Sequence, residues 1–71
     1  RRRVMTQILW TIKEERHDGT WWLIRGNAFT NKITDKYPNK VFEYADEAIS
    51  LRDRLNVKRG VNVEVVEYLG D

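Results

Sequence analysis

Thr20-Trp21-Trp22-Leu23-Ile24-Arg25 reads as a β-strand, and this stretch decides the fold. Aromatic and β-branched residues suit a pleated surface, and the run ends at the breaker pair Gly26-Asn27. Neighbouring strand residues point to opposite faces, so the two indoles cannot share one core. The chain has 71 residues. A domain near this size buries only about 60% of its unfolded surface. Two packed layers are within reach, so one face of the sheet is covered and the other is left open. One tryptophan of the pair is therefore expected on the open face.

Upstream, Ile8, Trp10 and Ile12 alternate with Leu9, Thr11 and Lys13, the pattern of a strand with one apolar face. Glu14 to Gly19 turns the chain, with Asp18-Gly19 as a favoured hairpin dipeptide, so the two strands should form an antiparallel hairpin. Residues 28–40 leave two readings open. Phe29, Ile33 and Tyr37 are spaced by four, as in a short helix ending before Pro38, whereas Thr30, Asn31, Thr34 and Asp35 suit a long ordered loop. Val41 to Tyr44 would be a brief extended piece.

A helix is expected from about Ala45 to Val57, with Tyr44, Ala48, Leu51 and Leu55 as its apolar stripe and Ala45 and Ile49 at the edge. Asp46 and Glu47 suit its N-terminal end, Lys58 and Arg59 its C-terminal end, and Gly60 the left-handed residue after it. A last strand, Val61 to Leu69, alternates Val61, Val63 and Val65 with Asn62, Glu64 and Val66. The order β-β-α-β gives an α+β fold: an antiparallel three-stranded sheet with one helix packed on one face. Ile8, Trp10, Ile12, Val61, Val63 and Val65 would meet Ala48, Leu51 and Leu55, joined by either Trp21/Leu23 or Trp22/Ile24. The remaining pair would share the opposite face with Leu9, Val66 and Tyr68. Burying a tryptophan is worth about 4–6 kcal/mol gross, so an uncovered one is a reason to look for a partner.

Thirteen basic and eleven acidic side chains give a formal charge of +2. Three of the basic residues are Arg1, Arg2 and Arg3; without them ten face eleven, a formal −1. Met5-Thr6-Gln7 has the look of a natural start, with residues 1–6 expected as a flexible tail and residues 7–71 as a single α+β domain. There is no cysteine, which excludes thiolate nucleophiles, disulfides and cysteine zinc sites in this chain. No apolar run approaches the roughly 20 residues of a membrane span. No secretory leader is recognisable, and a cytoplasmic location with no membrane partner is expected.

Catalysis finds little footing. His17 is the single histidine, in the turn Arg16-His17-Asp18-Gly19, with no nucleophile placed beside it. One histidine and scattered carboxylates match no metal-ligand spacing, and the isolated glycines form no phosphate cradle. A non-enzymatic chain with no cofactor and no metal is expected. Nucleic-acid binding rests on Arg52, Arg54, Lys58 and Arg59 at the helix end, with Lys32, Lys36 and Lys40 in the loop. Asp46, Glu47 and Asp53 dilute that charge. A protein interface draws more support, with Trp21, Leu23, Arg25, Phe29, Tyr37, Glu64, Val66 and Tyr68 as the expected contact set. A host protein is the leading partner, with a homodimer through the open sheet face as a further option.

Val41-Phe42-Glu43-Tyr44-Ala45-Asp46-Glu47-Ala48 resembles the F-x-T-x-x-E-A helix entry of small phage domains, among them the arm-binding domains of phage integrases. That resemblance implies DNA reading through the sheet, although Tyr44 stands where threonine is expected and a strand follows the helix. The full order is more similar to small phage inhibitors of bacterial RNA polymerase. Trp10 to Glu14, Trp22 to Arg25, Asp46-Glu47-Ala48 and Val61 to Glu67 carry this likeness. It implies a compact phage-encoded inhibitor or modulator that binds a host enzyme.

Overall fold

The computed structural model describes residues 8–59 and 62–69. Strand β1 (Leu9–Arg16) leads through a tight turn into β2 (Gly19–Ile24), a single 3-10 turn (Arg25–Asn27) and β3 (Ala28–Thr30). After an irregular stretch come helix α1 (Ala45–Arg59) and β4 (Val63–Tyr68). The strands form one antiparallel sheet in the order β3-β2-β1-β4, so the fold is α+β with one helix. The expected three-stranded sheet gains a fourth, short edge strand where a loop or helix was expected. Gly26 (φ 73°) and Asn27 (φ 59°) reverse the chain there, a conformation glycine and asparagine tolerate best. Phe29 then pairs with Leu23.

The first hairpin is tighter than its sequence suggested. Arg16 pairs with Gly19, leaving only His17 and Asp18 in the loop, and Gly19 takes φ 128°, where a side chain would be strained. This closure fixes the register: Lys13 faces Trp22 and Glu14 faces Trp21. Beyond Lys13 the two strands part, and the chain segment around Lys40 fills the gap. The Lys40 N–H donates to the Leu23 carbonyl (2.8 Å), and Phe42 exchanges two bonds with Trp10 (2.7 and 2.9 Å). The Thr11 hydroxyl, fully buried, donates to the Lys40 carbonyl at 2.7 Å. Of the piece expected to be extended, Val41 to Tyr44, Phe42 is stitched to β1 by an isolated bridge to Trp10, and the chain bends at Glu43 and Tyr44 into the helix.

The core holds Ile12, Leu23, Ala48, Leu51, Leu55 and Val63, with Trp10, Phe29, Phe42 and Val65 packed against it. Ile8 and Tyr44 were expected in this core and lie outside it, 49% and 61% exposed. Ile8 precedes the first paired residue of β1. Tyr44 caps the helix instead of joining its stripe: its carbonyl accepts from the N–H groups of Glu47 and Ala48. Gly60, Val61 and the N-terminal tail lie outside the described residues, and so do the expectations placed on them. Among the described residues, no helix is long and apolar enough to cross a membrane.

Candidate functional site

The register sorts the strand residues into two faces. Trp10, Ile12, Glu14 and Arg16 share the helix side with Trp21, Leu23, Phe29, Val63 and Val65. Leu9, Thr11, Lys13 and Glu15 share the other with Thr20, Trp22, Ile24, Ala28, Thr30, Glu64, Val66 and Tyr68. The single helix packs on one side of the sheet, and among the described residues no regular element stacks on the second face.

Trp21 therefore lies on the helix side, beyond the core cluster, where the protein completes its contacts. The Arg16 guanidinium stacks 4.0 Å from its ring centroid and 6.0 Å from that of Phe29. Arg16 is held in turn by Glu14 through Nε (3.0 Å) and an Nη (2.9 Å). The Trp21 Nε1–H donates to the Asp18 carboxylate at 2.9 Å. Aromatic face, edge donor and stacked cation are all satisfied within one hairpin.

Among the described residues, Trp22 has none of these. It is half-buried on the open face, in a row that crosses the whole sheet as Glu64–Lys13–Trp22–Thr30. Among the described residues its indole N–H has no acceptor. Leu9, Val66 and Tyr68 extend the apolar part of this face, each half-buried. One end is covered by the described residues: Thr11, beneath the Lys40 backbone, is fully buried, and Ile24 is 7% exposed.

The charges on this face are largely spent on one another. Lys13 Nζ donates to Glu15 at 2.8 Å, and the Thr20 hydroxyl donates to both Glu15 oxygens (2.9 and 3.0 Å). The bond from Lys13, and then that from Thr20, holds the Glu15 carboxyl below its ordinary range. The bond to Glu15 raises the Lys13 ammonium, with a smaller push from Glu64.

The expected contact set is divided by this geometry. Glu64, Val66 and Tyr68 do line the open face. Leu23 is corrected: it is fully buried in the core. Trp21 and Phe29 sit on the helix side, because the two-residue loop pairs Glu14, not Lys13, with Trp21. Arg25 is exposed in the 3-10 turn, and Tyr37, 43% exposed, closes a turn with Thr34 through paired backbone bonds (3.1 and 3.3 Å). Leu9 belongs to the face, as expected, and so does Trp22, one of the two alternatives left open; Lys13 was missed. The signal was the core position of Ile12, which forces its neighbour Lys13, and Lys13's partner, to the other side.

The basic candidates do not converge on this face. Arg52 is bonded to Asp53 through two nitrogens (3.0 and 2.9 Å). Arg54 and Lys58 flank a depression shared with Asn27, Leu51 and Leu55, and Arg59 has its side chain outside the described set. His17 is exposed in the hairpin turn, and no group of three or more metal-ligating side chains converges among the described residues. No protein-family model, curated protein or solved structure matches the chain significantly.

Proposed function

We propose that this protein is a small non-enzymatic binding module that docks on a larger protein through the sheet face opposite its helix. The carrying observation is Trp22, half-buried in the middle of that face with no acceptor for its indole N–H among the described residues, beside a neighbouring tryptophan whose ring face and N–H are both engaged internally. Tryptophan at the centre of a patch with half-buried apolar neighbours and a polar rim is the composition of an interface hot spot. Leu9, Val66 and Tyr68 provide the apolar surround, and Lys13, Glu15 and Glu64 the rim.

The same charges argue against a nucleic-acid partner at this face. Its one lysine is bonded to a carboxylate and a second carboxylate lies across the strand, which leaves no net positive field for phosphates. The likeness in layout to phage inhibitors extends the proposal to a phage-encoded chain that occupies a surface of a host enzyme.

The test uses the whole chain as bait in a bacterial lysate, with and without nuclease, beside its Trp22→Ala variant. Capture of a protein that survives nuclease and is lost in the variant, with unfolding still cooperative, supports the proposal. Nuclease-sensitive capture transfers the function to nucleic acid. Capture unaffected by the substitution removes this face from consideration.

A further inference from the structure

The two edges of the sheet are not alike. β3 spans three residues and runs into a closed turn, where the Thr30 hydroxyl donates to the Lys32 carbonyl and accepts from the Lys32 N–H, both at 3.1 Å. β4 spans six residues, Val63-Glu64-Val65-Val66-Glu67-Tyr68, and carries neither lysine nor proline. Short length, charged residues (lysine above all) and proline are how sheet edges are usually protected from pairing; of these β4 has only two glutamates, which exclude acidic strands and not basic ones.

Its backbone directions follow from β1. Trp10 spends both its N–H and its C=O on Phe42, on the side away from β4. Inward and outward groups alternate in an antiparallel ladder, so the β4 residue opposite Trp10, and every second one from it, also turns its backbone outward. These residues are Glu67, Val65 and Val63. The Val63 N–H shows this direction: it donates to Asn56 Oδ1 of α1 at 3.0 Å, which closes the start of the edge. At Val65 and Glu67 no backbone partner stands beyond the edge among the described residues.

Glu64 precedes the first of these positions and Glu67 occupies the second; their side chains lie on opposite faces of the sheet, and both are exposed. The base opposite Glu64 in the ladder is Lys13, already bonded to Glu15. Val66 and Tyr68 adjoin on the open face. We infer that β4 is a strand-addition site for an extended, basic segment of a partner protein. The segment pairs its backbone with Val65 and Glu67 and sets lysine or arginine side chains against Glu64 and Glu67. A second copy of β4 is a poor occupant, because it would bring four carboxylates to one seam with no base on either strand. The inference rests on the docking proposal only in making the partner a protein; it places the contact on the edge, not on Trp22.

The probe is a fluorescein-labelled octapeptide in which lysine pairs alternate with valine pairs, so that both faces of the added strand carry lysine, with the matching glutamate–valine peptide as its opposite, read by anisotropy at low salt. The lysine peptide should bind, lose affinity as salt rises, and slow hydrogen exchange at the amides of Val65 and Glu67. Val65→Pro removes an outward N–H that the β1 ladder does not use and should weaken binding by about tenfold, the scale of one or two lost hydrogen bonds. Glu64→Gln with Glu67→Gln should weaken it similarly, which keeps the test valid if the proline variant misfolds. Trp22→Ala should leave peptide affinity unchanged. Three results would overturn the inference: equal binding of the glutamate peptide, no exchange protection at the two amides, or a peptide-free dimer that Val65→Pro dissolves. Loss of lysate capture in Trp22→Ala alongside a failed peptide experiment would sink the edge site and leave the docking face standing.

Discussion

Trp21 and Trp22 are chemically identical and adjacent, yet the protein treats them as two different residues. On the helix side, Arg16 stacks on Trp21, Glu14 holds Arg16, and Asp18 takes the indole N–H. On the other side, Trp22 stands among Lys13, Thr30 and the open ends of a row, and its donor has no acceptor among the described residues. A strand period of two separates the indoles by the thickness of the sheet. The lesson is that exposure alone says little here, since both rings are half-buried. What differs is whether the fold completes the ring's polar and π contacts.

The largest test of this contrast lies one residue further on. Leu23 follows Trp22 but faces the core and is fully buried. Leu23→Ala should cost about 2–5 kcal/mol in urea unfolding, the range for emptying a packed leucine site. In a domain this small that approaches the whole stability. If Trp22→Ala costs as much as Leu23→Ala, Trp22 is a core residue and the open face disappears.

Next in size is the pair of tryptophan substitutions themselves. Trp21→Ala removes a stacked cation, a hydrogen bond and apolar contact, and should destabilise by about 2 kcal/mol. Trp22→Ala should cost about 1 kcal/mol or less, the usual scale for a surface position. Partner capture should show the reverse order: lost in Trp22→Ala, and retained in Trp21→Ala at temperatures where that variant is folded. Equal thermal midpoints for the two variants would erase the distinction.

A sharper version removes only the polar half. Asp18→Ala leaves the Trp21 ring in place but deprives its Nε1–H of its acceptor, so a loss of about 1 kcal/mol is expected. Because the indole N–H would then turn to water, the tryptophan emission should also shift. Unchanged stability would mean that the Arg16 stack, and not the hydrogen bond, secures this side.

Much of the fold was legible because its signals are local and periodic. The α1 stripe Ala48, Leu51 and Leu55, the alternation in β1 and β4, and the breaker at Gly26-Asn27 each depend on residues close in sequence. The division of the tryptophans depends on hairpin register, which a change of one loop residue reverses. Taking the turn as Glu14 to Gly19 left that choice open, and the closure at Arg16 and Gly19 settles it. β3 was hidden for a different reason. Its three residues are too few to show alternation, and they owe their pairing to the reversal at Gly26 and Asn27. The site was half legible: Glu64, Val66 and Tyr68 followed from strand alternation, whereas Lys13 and Trp22 required the cross-strand partner.

The smallest expected effect belongs to the rim of the Trp22 face. Glu15 accepts from Lys13 and Thr20 there, and these bonds hold its carboxyl below the ordinary glutamate value of 4.5. A carboxyl lowered in the folded state contributes stability above its unfolded pKa, and that contribution is lost as pH falls through the folded value. Acidification below about pH 4.5 should therefore lower the urea midpoint of the native chain more than that of Glu15→Gln. The group is exposed, so the difference should be small and shrink further at high salt. Lys13 gives the mirror case: raised in the folded state, it supports folding below its ordinary 10.5 and loses that support at still higher pH. Parallel acid titrations of the two chains would mean that the bonds to Glu15 add nothing to folding. A steeper loss in Glu15→Gln would mean that the carboxylate disfavours the folded state, and the face would then carry an unmet charge beside an indole donor that finds no acceptor among the described residues.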